Sequence, residues 1–132
     1  MDNLLNNATE ILLLLFLIIT FLQSAIDKVF DWTGNLSWLK GHFENTPLQN
    51  LVPLLLGIVL LAEMAAGILC AVGICQLVIM GESGIALYGA VMSCVALLML
   101  LFGQRMAKDY EGAKTIAVYF IPAIFLVFLL QP

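Results

Sequence analysis

Four long apolar runs dominate the chain, at about 8–30, 51–80, 84–104 and 113–131, with short polar connections between them. About 20 apolar residues carry a helix across the hydrocarbon core of a bilayer, so each run reads as a membrane span. The pattern predicts an all-α protein: an integral membrane four-helix bundle, one domain over 1–132. The first run opens near Ala8 and ends in a polar-studded stretch holding Gln23, Ser24, Asp27 and Lys28. Lys28 is expected to snorkel from that end to the headgroups. The second run gives roughly 45 Å of helix against a core of ~30 Å, so it must tilt, bend or begin outside the core.

The connections carry their own patterns. In 31–50, Asn35 is suited to cap a helix, and Leu36, Leu39 and Phe43 recur at i, i+3 and i+7. With Trp32 and Trp38 beside them, they predict a short interfacial helix over about 35–44, between the first two spans. Its stripe should face the bilayer or a neighbouring subunit while Lys40 and Glu44 face water. Thr46-Pro47 and Pro53 turn the chain into the second span. The Gly81-Glu82-Ser83-Gly84 turn sets the second and third spans antiparallel, and Pro122 predicts a kink in the fourth.

Composition sharpens this picture. The 132 residues are 63% hydrophobic and 11% charged, with a mean hydropathy of +1.08; no ordinary soluble domain has that balance. The N-terminus has no basic n-region and no small-residue cleavage site, so the first span is expected to be retained. No soluble domain is expected at either end. All five basic residues, Lys28, Lys40, Arg105, Lys108 and Lys114, flank the 31–50 and 105–112 connections. The positive-inside rule therefore predicts those connections in the cytoplasm and both termini outside. Five basic residues in two connections form no phosphate-tracking stripe, so nucleic acid is not an expected partner. Cys70, Cys75 and Cys94 lie in spans without a CxxC and read as small packing residues; no metal site is expected. Ala62, Ala66 and Cys70 on the second span, and Ala86, Ala90 and Cys94 on the third, are small-xxx-small stripes suited to close helix contact.

Glu63 is the one charged residue in the long second run. A carboxylate inside a membrane must be protonated, paired or turned to a wet interior. Counting turns places Ser93 and Thr20 at its depth and Gln23 and Tyr119 slightly shallower, as candidate hydrogen-bond partners. The same count puts Lys28 and Arg105 about three turns away, so a neutral Glu63 donating a hydrogen bond is expected. Two readings stay open: a structural Glu63 that joins helices, and a functional one lining a pocket for a proton, a quinone head or another polar ligand.

Several stretches together resemble the DoxX family of small bacterial four-helix membrane proteins. They are Phe21-Leu22-x-Ser24-Ala25-x-x-Lys28 with Asp31, the Trp38 to Thr46-Pro47 connection, and the span with Glu63 and Gly67. The segment Gly103-Gln104-Arg105-x-Ala107-Lys108-Asp109-Tyr110-x-Gly112-Ala113 is similar to the branch of that family common in Bacteroidetes. The resemblance runs from about Thr20 to Tyr119; Ala25 stands where the family usually has glycine. It implies a bacterial inner-membrane protein, since the family takes its name from a small subunit associated with a terminal quinol oxidase and with thiosulfate:quinone oxidoreduction. The expected function is a non-catalytic accessory subunit of a larger membrane complex in quinone-linked electron transfer, with lipid and other membrane subunits as partners. No cofactor is expected beyond a quinone. A small redox subunit using Glu63 for protons, and an oligomeric transporter or channel with Glu63 on its path, are the alternatives.

Overall fold

The computed structural model describes residues 2–132; of the single domain predicted over 1–132, Met1 lies outside the described residues. A short helix α1 (Asp2–Asn6) leads into α2 (Ala8–Phe30), α3 (Trp32–His42), α4 (Val52–Met80), α5 (Gly84–Met106) and α6 (Tyr110–Leu130), with a 3₁₀ turn at Gln49–Leu51 before α4. The helices α2, α4, α5 and α6 are each long and apolar enough to cross a membrane, α4 together with its leading turn, which makes this a multi-pass membrane protein. They alternate in direction and close a ring: α4 packs on α2 and α5, and α6 packs on α5 and α2.

Small residues bring the central pair together. A Cβ on Gly73 would lie 2.5 Å from the Ala86 Cα, and one on Gly89 would lie 2.8 Å from the Cys70 backbone nitrogen. Ala66, Cys70, Ala86 and Ala90 are fully enclosed along this seam and Cys94 is nearly so, whereas Cys75 lies on the outer face. Lipid tails are as apolar as the side chains, so the gain here is dispersion from close contact rather than removal of oil from water. Large residues such as Leu12, Ile19, Leu61, Ile79 and Phe128 remain on the outside, where the bilayer solvates them.

The turns follow from local chemistry. Gly81 ends α4 at φ 73°, donating its N–H to the Leu77 carbonyl, a conformation glycine takes without steric cost. At the end of α5, Lys108 takes the left-handed position at φ 59°. There Lys108 N–H bonds the Arg105 carbonyl and Asp109 N–H the Gln104 carbonyl, a Schellman stop. Asp109 then caps α6, its Oδ1 accepting from Gly112 N–H at 3.0 Å. This back-to-back stop and cap lets α5 run past 104 and starts α6 before 113, so both spans are longer than expected.

The helix between the first two spans differs from expectation in start and in facing. Asp31 alone separates it from α2, and Asn35 lies one turn inside, its amide donating to the Asp31 carbonyl at 2.8 Å instead of capping. Leu39 and Phe43 turn toward the end of the bundle, where Phe43 lies against Gly103 of α5, rather than toward the bilayer. Lys40 and Glu44 are exposed.

Candidate functional site

The helix α2 stops short of its neighbours. Lys28, in its last turn, lies beside Glu63, more than ten residues into α4, so the opening turns of α4 and the closing turns of α5 run on beyond α2. The space left past the end of α2 is a cavity of about 510 Å³. Its walls are Val52, Leu55, Leu56 and Val59 of α4 with residues 98–100 and 102–104 of α5; Trp38, Leu39 and His42 of α3, and Phe43 just past its end, roof it. Lys28 borders it at the α2 end, and Asn35, His42 and Gln104 supply most of its remaining polar lining.

Under this cavity lies a charge pair. Lys28 Nζ is 2.8 Å from Glu63 Oε1, and the two side chains are 16% and 1% exposed. The same ammonium donates to Ser24 Oγ at 2.6 Å, one helical turn back. This corrects the expectation that no basic residue reaches Glu63, and with it the grounds for a lone, neutral acid. It also corrects the expected course of Lys28, which turns inward to the carboxylate instead of snorkelling outward. The depth count failed because it took the cytoplasmic ends of the spans as level, whereas the last turn of α2 lies beside a residue more than ten positions into α4. Oε1 has no conventional hydrogen-bond partner among the described residues, so Lys28 is the polar group that answers its charge.

The other residues singled out for Glu63 make their contacts elsewhere. Ser93, fully buried, donates to the Gly89 carbonyl at 2.8 Å and stands 3.8 Å from Cys70 Sγ in the α4–α5 seam. Thr20 donates to the Phe16 carbonyl at 2.8 Å. The Tyr119 ring packs against Phe16 at 6.1 Å between centroids, and Gln23 is exposed.

A second constellation links α3 to the α5–α6 connection. His42 Nε2 is 3.0 Å from Gln104 Oε1 and 3.4 Å from Asp109 Oδ2. Both partners are acceptors in this arrangement, so it calls for a proton on Nε2. The imidazole stacks on Trp38 at 4.5 Å and 16°. Gly112 is part of the same fit: a Cβ there would lie 2.7 Å from Asp109 Oδ2 and 2.8 Å from Gln104 Nε2. Arg105 and Tyr110 form a separate exposed cation–π pair at 5.0 Å, Lys108 serves the turn, and Asp31 sits over the first turn of α3 against Gly34. Gln104, Asp109 and Gly112 of the 103–112 segment are thus brought together with His42, the one histidine of the chain, which the sequence reading did not single out. Its spacing to Gln104 and Asp109 is long-range, so periodicity carried no signal for it.

Among the described residues no group of three or more His, Cys, Asp or Glu side chains is placed to hold a metal. No protein-family model matches the chain, and no curated protein or solved structure shows significant similarity to it.

Proposed function

We propose that this chain is a DoxX-like, non-catalytic subunit of a larger bacterial inner-membrane complex, binding a lipophilic ligand of quinone-linked electron transfer. The observation that carries the reading is a cavity of about 510 Å³, largely apolar, with the Lys28–Glu63 pair beneath it. Small-molecule sites fall in the range of roughly 300–1,000 Å³ and combine apolar walls with a few placed polar groups. An intramembrane charge pair is costly to keep for packing alone, since apolar residues of similar volume do as well or better. On this reading the protein holds its ligand at the cytoplasmic end, with both termini periplasmic, and a partner subunit performs the chemistry. A path through an oligomer lined by Glu63 has less support, because Glu63 faces the interior of its own bundle.

Purification from native membranes in mild detergent tests the reading. Co-purification of larger membrane subunits, with a quinone recovered on organic extraction, is the expected result. A homo-oligomer free of both would sink it.

A further inference from the structure

We propose that the cavity selects an electrically neutral lipophile whose head presents a hydrogen-bond-accepting carbonyl oxygen to the Lys28 ammonium. The inference rests on the ligand-binding reading above and adds what the ligand must look like. An ammonium has three N–H donors. In this site one goes to Ser24 Oγ, and the ammonium answers Glu63 Oε1 by charge at 2.8 Å without a conventional hydrogen bond, so at least one N–H is left over on a residue that lines the cavity. A spare donor on a mostly buried group gains from an acceptor, and the surrounding walls of Leu55, Leu56 and Val59 supply none.

Charge decides the class of acceptor. Glu63 already balances Lys28 within the pair. A carboxylate or phosphate head would therefore add an uncompensated anion to an apolar cavity, and Asp109, near the His42 rim, would repel it further. A carbonyl takes the spare N–H and leaves the balance unchanged. The other end of the cavity suits a flat head as well as a tail: Trp38 and His42 present a stacked aromatic pair, and Asn35 and Gln104 supply amide groups.

The test uses the full chain in lipid nanodiscs with two probes of equal tail length, a neutral phenyl alkyl ketone and an alkyl carboxylate. The chain has two tryptophans, so a Trp32→Phe background leaves Trp38, in the cavity roof, as the sole reporter. The ketone is expected to quench Trp38 saturably, and the carboxylate is expected to bind at least tenfold more weakly. The Lys28→Met/Glu63→Leu double variant, which removes the pair without leaving a lone charge, should weaken ketone binding about tenfold. Leu55→Trp, which fills the cavity and leaves the pair intact, should abolish saturable binding, read by displacement of a tritiated ketone. Equal ketone binding by the double variant, tighter binding of the carboxylate, or quenching that never saturates would overturn the proposal. If the ketone binds as expected while the native protein yields neither quinone nor partner subunits, the subunit reading fails and this one stands. If native quinone and partners are found but the double variant binds the ketone normally, the reverse holds.

Discussion

At the scale of single residues, the Lys28–Glu63 contact changes what substitutions should do. For a lone protonated Glu63, replacement by Gln would be nearly silent. With an ammonium 2.8 Å away, Glu63→Gln strands a mostly buried cation. Removing one partner of a buried pair costs about 3–5 kcal/mol, whereas replacing both with apolar residues of similar volume is often neutral. The 16% exposure of Lys28 lets some solvent or headgroup reach it, so the lower part of that range is expected for Glu63→Gln. Lys28→Met leaves the more deeply buried carboxylate alone and should cost at least as much. Lys28→Met/Glu63→Leu should recover most of the loss. Equilibrium unfolding in mixed micelles, run as a double-mutant cycle, measures the coupling; single losses that simply add in the double variant would show that the two charges do not stabilise one another.

At the scale of elements, the α4–α5 seam is where a single methyl group should matter most. Gly73→Ala would press a Cβ against the Ala86 backbone, which cannot rotate away, so the helices must separate. Overpacking of this kind costs about 1–3 kcal/mol. Gly57→Ala, earlier in the same helix, meets nothing within 4 Å and should be neutral or slightly stabilising through helix propensity. Comparing the two unfolding midpoints checks this. The seam was readable in advance, because Ala66, Cys70, Ala86 and Ala90 recur at helical spacing and a short turn joins their helices. The four spans were readable for a related reason: the hydrocarbon thickness sets the length of each run independently of its neighbours. The cavity was not readable, because it arises from the offset between the end of α2 and the ends of α4 and α5, a property of no one helix. The same holds for α3. Its stripe of Leu36, Leu39 and Phe43 followed from period, but the surface it covers depends on where α5 ends. Changing Leu39 and Phe43 to Ser should therefore loosen α3 over the cavity while the spans remain inserted. Amide exchange should rise across Trp32–His42 and stay low in the middle of α5; unchanged exchange in α3 would mean that its apolar contacts do not hold it.

At the scale of the whole molecule, the structure gathers the charged connections at one end. The 31–50 and 105–112 segments meet through His42, Gln104 and Asp109, and the 81–84 turn lies at the other end. All five basic residues flank the first pair of segments, and none lies near the turn or in the terminal segments. Short loops rich in Lys and Arg are held on the cytoplasmic side during insertion, so the end bearing the cavity should face the cytoplasm. Ser37, exposed on α3, and Ser83, partly exposed in the turn, are suited to carry single reporter cysteines. The three native cysteines lie within the spans, Cys70 and Cys94 buried in the seam and Cys75 on the outer face, so the unsubstituted chain labelled alongside sets the background. In intact cells an impermeant thiol reagent should label Ser83→Cys and leave Ser37→Cys unlabelled until the membrane is opened. Labelling at 37 but not at 83 would invert the protein, placing the cavity mouth and its Lys28 anchor on the periplasmic side, and a ligand would then have to be delivered from there.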